Sequence, residues 1–194
     1  MYYFPGTKYK KYDFLAIDIV NGCNLRCPFC INDWSRIGKN EPMDVQLFRK
    51  KIVPLFDLVK EGPHIYLSCL FEPTIHPHFW DFIEAVPQRH RKNIFFTTNL
   101  CGKLKPEFFK KLAASRIHHI NVSLDSLDPV LFERLRKGAR HEVFMSNLKR
   151  LIAGFAQNEA APKIYYETML MNSNLYEIPK LVETLFKDYQ AVFV

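Results

Sequence analysis

Short apolar runs alternate with longer stretches in which apolar residues recur every three or four positions, and the alternation repeats about six times. The runs at 13–20, 64–70, 93–98, 117–124, 164–171 and 189–194 read as strands, because they are short, rich in β-branched and aromatic residues, and bounded by turn formers. The intervening stretches read as helices. Asp44 can cap the first, which puts Val45, Phe48, Ile52, Leu55 and Val59 on one stripe, with a kink expected at Pro54 and a stop at Gly62-Pro63. Pro77 opens a helix carrying Phe79, Phe82, Ile83 and Val86, and Pro106 suits the first turn of one carrying Phe108, Phe109 and Leu112. Asp128-Pro129 begins a short helix that Gly138 ends, and Phe144, Leu148, Leu151, Ile152 and Phe155 mark the next. Asn174 and Glu177 form a capping box before Ile178, Leu181, Val182 and Leu185.

Strand–helix alternation of this kind implies an α/β fold, with parallel strands joined by right-handed crossovers and helices outside. The 194 residues suffice for one domain with a sizeable core, and no low-complexity linker divides residues 1–194. No helix follows the last strand to cover it, so that strand is expected to be frayed, or covered by a second copy or by downstream sequence.

Composition narrows the class. Hydrophobic residues make up 48% and aromatics 14%, including 17 Phe, which excludes disorder and implies an aromatic core or lined cavity. No apolar run approaches the ~20 residues of a membrane span, and the start lacks the pattern of a signal peptide. Five cysteines, an odd number with three clustered, argue for a reducing compartment, the cytoplasm, and against a disulfide framework. The net charge of +7 gathers in two small patches, Lys8/Lys10/Lys11 and Arg89/Arg91/Lys92. These read as solvated faces, because no basic-aromatic nucleic-acid motif accompanies them.

Candidate chemistry concentrates in Cys23-Asn24-Leu25-Arg26-Cys27-Pro28-Phe29-Cys30, where Asn21-Gly22 ends the first strand. Three thiolates are one short of a closed four-ligand site, so a [4Fe–4S] cluster held here would leave one iron open to another molecule. The other readings of the same residues are a zinc knuckle, for which the nearest further ligands, His64 and Cys69, lie far along the chain, and three buried thiols.

The motif C-x3-C-x2-C with an aromatic before its third cysteine resembles the cluster motif of the radical S-adenosylmethionine (SAM) enzymes. The likeness runs from about Phe14 to the C-terminus and implies an open (β/α)6 partial barrel. It also implies a [4Fe–4S] cluster on Cys23, Cys27 and Cys30 whose open iron binds SAM, and reductive cleavage of SAM to a 5′-deoxyadenosyl radical that abstracts hydrogen from substrate. An external one-electron donor, flavodoxin- or ferredoxin-like, is implied with it, as is a substrate, small molecule or peptide, that the sequence does not identify. Family positions carry over residue by residue. Phe29 matches the aromatic near the adenine. Glu72 in Glu72-Pro73 matches the end of a glycine-rich turn that meets the SAM amino group, although Cys69 and Phe71 stand here in place of the glycines. Asn99 falls in a Thr-Asn-Gly-like turn with Leu100 where glycine is common, and Ser123 in the strand Val122-Ser123-Leu124-Asp125 matches a SAM contact.

Each position also has a local reading. Glu72 can be a solvated loop carboxylate, and Asn99 can end a strand through its own backbone. Alternation puts Asn121, Ser123 and Asp125 on one face, toward a cavity, and a ribose would satisfy such a row; Asp125 can instead cap the next helix. Glu167, the one charge in an apolar strand, points either inward to ligand or outward to a lysine. Adjacent His118 and His119 point to opposite faces and suggest no metal site. Cys69 and Cys101 read as ordinary buried thiols. The rival to an enzyme core is a cluster- or zinc-binding module, or a fragment without turnover.

Overall fold

The computed structural model of the chain describes residues 12–32, 41–156 and 158–194. Six strands, β1 (Leu15–Ile17), β2 (Ile65–Leu67), β3 (Ile94–Thr98), β4 (His119–Ser123), β5 (Lys163–Glu167) and β6 (Ala191–Phe193), form one sheet in sequence order. Every neighbouring pair is parallel, and β1 does not pair with β6, so the barrel stays open. The fold is the open (β/α)6 partial barrel. Parallel neighbours require a crossover between each pair, and α1 (Val45–Leu47), α2 (Phe79–Ala85), α3 (Gln88–Arg91), α4 (Pro106–Ala113), α5 (Pro129–Leu135), α6 (His141–Phe155) and α7 (Ile178–Asp188) supply the crossovers. Among the described residues no helix is long and apolar enough to cross a membrane.

The two faces of the sheet are chemically distinct. Ile65, Leu67, Ile94, Phe96, Ile120, Val122, Ile164 and Tyr166 are buried on the outer face. There Phe79 of α2 stands edge-on to Phe96 with ring centroids 5.3 Å apart. Behind them Phe48 packs on Phe82 and Phe132 on Phe144. Burying each such side chain is worth about 1.5–3 kcal/mol. The inner face carries a ladder of stacked rings, Tyr66–Phe95, Phe95–His119 and His119–Tyr165, at 4.5, 4.4 and 4.3 Å.

Several local expectations need correction. The first helix is not one continuous α-helix around Pro54. Asp44 caps it, with Leu47 N–H donating to Oδ1 at 2.7 Å, but the chain then widens to a π turn over Phe48–Ile52 and tightens to a 3-10 helix over Val53–Leu58. The changed pitch places Pro54 where no i→i−4 donor is needed. Asn174 and Glu177 form no capping box: Glu177 is the N-cap residue of α7 without a side-chain cap bond. The Asn174 amide donates to the Asp125 and Met169 carbonyls, and Glu177 accepts from Ser126 Oγ. His118 and His119 do not diverge; their Nδ1 atoms are 2.7 Å apart, because β4 begins only at His119 and strand alternation does not reach His118. The Lys8/Lys10/Lys11 patch lies outside the described residues, and Arg89 pairs with Asp57. In β6, Val192 and Phe193 are exposed.

Candidate active site at the open end of the barrel

The C-terminal ends of the strands surround a cavity of about 250 Å³, where ligands collect in folds of this type. Cys23, Cys27 and Cys30 all line it. Their loop is fixed from within by Cys30 N–H donating to the Cys27 carbonyl (3.1 Å) and from outside by Arg26 N–H donating to the Lys137 carbonyl (2.8 Å). Gly138, at φ +97°, supplies the left-handed backbone that sets the α5–α6 connection against the loop; a Cβ there would meet the Asn24 carbonyl at 3.6 Å, an ordinary contact, so the backbone angle and not space calls for glycine. Burial holds the Cys23 thiol up at about 11 and raises that of Cys27. Leu25 N–H and the Asn99 amide both point at Cys23 Sγ, at 3.4 and 3.5 Å. Among the described residues no three His, Cys, Asp or Glu side chains converge as around a single metal ion. The three thiols instead share one cavity. That suits a multi-iron cluster, whose cysteines bind different irons and whose sulfurs accept N–H bonds, and metal coordination would deprotonate the Cys23 and Cys27 thiols that burial otherwise keeps neutral. The donor set fits the group.

Opposite the loop, Glu72 is buried and fully engaged rather than solvated. Its Oε1 accepts from Thr74 N–H (3.2 Å), Thr74 Oγ1 (2.6 Å) and Thr98 Oγ1 (2.8 Å), and its Oε2 accepts from Asn99 N–H (2.6 Å). Burial raises its pKa and these donors oppose the shift. The carboxylate thus ties the end of β2 to the end of β3, and it also lines the cavity.

The two turns that carry Glu72 and Asn99 keep a left-handed backbone without glycine. Ser68 lies at φ +80° and Leu100 at φ +55°. Asp18 compensates in the first turn: its Oδ1 accepts from Cys69 N–H (2.9 Å) and Leu70 N–H (3.0 Å), and Ser68 Oγ donates to the Phe71 carbonyl (2.7 Å). In the second, Thr98 Oγ1 accepts from Leu100 N–H, and the Asn147 amide donates to the Leu100 and Gly102 carbonyls. Asn99 itself turns toward the cysteine loop, donating to Asn24 Oδ1 at 2.8 Å.

Ser123 lines the cavity from β4, and its hydroxyl makes no hydrogen bond within the described protein. Asp125 lies behind the wall instead. Fully buried, it accepts from Arg136 Nε at 2.7 Å and from Met169 N–H at 2.8 Å, and Asp128 caps α5 in its place. Sequence reasoning missed Arg136. This buried cation lines the cavity, and its guanidinium lies 5.5 Å over the Phe29 ring. Its terminal nitrogens have no protein partner among the described residues. The available signal was a cation one residue past a helix end and two residues before Gly138.

Glu167 points inward, accepting from Asn121 Nδ2 (2.6 Å) and Thr97 Oγ1 (3.2 Å). Part of it is open to the cavity, but enough lies within that desolvation raises its pKa. Cys69 is not a buried thiol: it is exposed and lines the cavity. The reversed backbone at Ser68 breaks the alternation that would have hidden it. Cys101 is partly buried, donates from Sγ to the Asn99 carbonyl, and is pushed up to about 12 by burial.

Comparison with known proteins places this geometry. A family model described as the Radical SAM superfamily matches residues 17–184. A GTP 3′,8-cyclase of Microcystis aeruginosa is 26% identical over 185 residues, covering 94% of this chain and 53% of that protein. A GTP 3′,8-cyclase of a Nostoc species is 31% identical over 134 residues, covering 63% of this chain and 38% of that protein. The crystal structure of Streptococcus suis SuiB bound to S-adenosylmethionine superposes with a TM-score of 0.70 at 18% identity, over 94% of this chain and 38% of that one. The chain spans about half the length, or less, of the curated relatives it matches.

Proposed function

The chain belongs to the radical SAM superfamily, and from that premise we propose that it is one enzyme core domain in which Cys23, Cys27 and Cys30 hold a [4Fe–4S] cluster and the neighbouring cavity holds SAM. The observation that carries this reading is the opening of all three thiols on one cavity that Ser123, Asn99, Glu72 and Arg136 also line. When bound and reduced, the cluster supplies the electron that cleaves SAM to methionine and a 5′-deoxyadenosyl radical, which takes a hydrogen atom from substrate.

The chain's own residues bind, orient and shield. Leu25 N–H and the Asn99 amide, both directed at Cys23 Sγ, stabilise a thiolate there. The free terminal nitrogens of Arg136 suit a ligand carboxylate, and Asp125 fixes the guanidinium from behind. Ser123 offers an uncommitted hydroxyl to a ribose, and Phe29 offers a ring to the adenine. Glu72 contributes chiefly by holding the Asn99 turn in place, since its donors already occupy it. An external one-electron donor, flavodoxin- or ferredoxin-like, and a small-molecule or peptide substrate complete the reaction. The five free cysteines, with no disulfide among them, support a cytoplasmic setting.

Anaerobic reconstitution tests the reading. The protein should take up about four irons per chain and, with SAM and dithionite, release 5′-deoxyadenosine. Replacing Cys23, Cys27 or Cys30 by Ala should abolish both. Stoichiometric zinc in a colourless protein would sink the proposal.

A further inference from the structure

Between the cysteine loop and the aromatic ladder lies a polar cluster that neither the proposed cluster site nor the proposed SAM site uses. Tyr66, Thr97, Asn121 and Glu167 reach it from four adjacent strands, β2 to β5. Asn121 Nδ2 donates to Glu167 Oε1 at 2.6 Å and approaches Thr97 Oγ1 at 3.3 Å. Thr97 Oγ1 donates to Oε1 and Oε2 at 3.3 and 3.2 Å. The Tyr66 hydroxyl lies 2.5 Å from Thr97 Oγ1. Thr97 has one proton and spends it on Glu167, so the Tyr66 proton goes to Thr97. Every donor in the chain therefore points toward Glu167.

Those donors are all neutral. Among the described residues no Lys, Arg or His lies within ion-pair distance of Glu167, and the nearby Arg136 has Asp125 as its partner. Arg136 is near enough for its charge to act on Glu167 but forms no ion pair with it, so a carboxylate held rigidly here by neutral hydrogen bonds can take a cation in direct contact. Its Oε2 accepts only the bond that Thr97 shares between both oxygens, which leaves room for a further donor. Its position also separates it from the thiols. Glu167 pairs in register with Ser123, but its carboxylate turns back to Thr97 and Asn121, themselves a register pair one step nearer the strand starts. The cysteines lie past the strand ends.

We infer that Glu167 is the substrate-recognition residue of this cavity and that the substrate presents a protonated amine to it. The inference rests on the radical SAM reading above and narrows its substrate class. Tyr66, Thr97 and Asn121 are positioning residues that act through the carboxylate.

Pentylamine, pentanol and pentanoate serve as probes of equal length and different charge. Titrated calorimetrically into the reconstituted protein with SAM bound, pentylamine should bind about ten-fold or more tightly than pentanol, and pentanoate weakest. Glu167→Gln should bring pentylamine and pentanol within about two-fold of each other, and Thr97→Val should weaken pentylamine a few-fold. Iron content and SAM affinity should not change in either variant. Equal binding of amine and alcohol to the unaltered protein would overturn the inference. So would a roughly ten-fold loss of SAM affinity in Glu167→Gln, which would assign the carboxylate to SAM. An amine preference in protein that takes up no iron would support the Glu167 site and remove the radical SAM reading, so the two failures are distinguishable.

Discussion

The two walls of the cavity are stabilised differently. The cysteine loop brings in thiols, of which burial holds Cys23 and Cys27 neutral, and the N–H groups aimed at Cys23 are only two. The opposite wall, at the ends of β2 and β3, is complete by itself: Glu72 accepts four hydrogen bonds and Asp18 captures two successive backbone N–H groups. One wall is finished by what binds to it and the other before anything binds. A cluster-binding fold needs both, because a loop that must accept a cofactor after folding needs a rigid surface to be presented against.

The strongest way to break that contrast is to remove the central acceptor of the finished wall. Glu72→Ala leaves the Thr74 and Asn99 N–H groups and two threonine hydroxyls without their acceptor in a buried place, and should cost about 2–4 kcal/mol in cluster-free protein. Cys23→Ala in the same cluster-free protein should cost less than about 1 kcal/mol, since its thiol has weak partners to lose. Denaturant unfolding of both variants measures the difference, and equal losses would show that the loop is as finished as the wall.

The ring ladder of the inner face sharpens the comparison through pH. His119 is stacked between Phe95 and Tyr165, and burial lowers its pKa from 6.5 to about 4, with His118 and Lys163 adding to the shift. The folded chain therefore keeps this imidazole neutral down to about pH 4, while the unfolded chain protonates it near 6.5. Between those values the unfolded state binds more protons, so stability is full above 6.5 and falls as pH drops toward 4. The loss is about 1–3 kcal/mol. His119→Phe keeps the stack and should flatten this part of the pH–stability curve. An unchanged slope would mean that another group carries the acid sensitivity.

How far the sequence reaches follows the same division. Strand–helix alternation is a long-range pattern, and it yields all six strands, their parallel sense and the outward apolar face, while their order in an open barrel comes with the family resemblance. The cysteine motif is local and yields the loop. Residues placed by a reversed or irregular backbone are harder to read. Cys69 emerges into the cavity because Ser68 at φ +80° breaks the strand's alternation. The first helix changes pitch twice around Pro54, which an apolar stripe does not reveal. Arg136 meets its partner Asp125 across a loop and a helix, so neither residue announces the other. Glu167 was legible as an anomalous charge but not in direction, which depends on its register with Ser123.

The smallest effect tests how the finished wall does without glycine. At φ +80°, Ser68 carries backbone strain of about 1–2 kcal/mol that glycine would relieve. Its hydroxyl returns a hydrogen bond to the Phe71 carbonyl, worth about 1 kcal/mol. A glycine would also lose about 0.5–1 kcal/mol through the greater freedom of the unfolded chain. These contributions nearly cancel, so Ser68→Gly should change stability by less than about 1 kcal/mol in either direction. Thermal unfolding of the cluster-free variant reads this directly. A gain above about 2 kcal/mol would mean that the serine is a strained substitute which the Asp18 contacts do not offset. A loss of that size would mean that its hydroxyl, not Asp18, holds the turn against the cysteine loop.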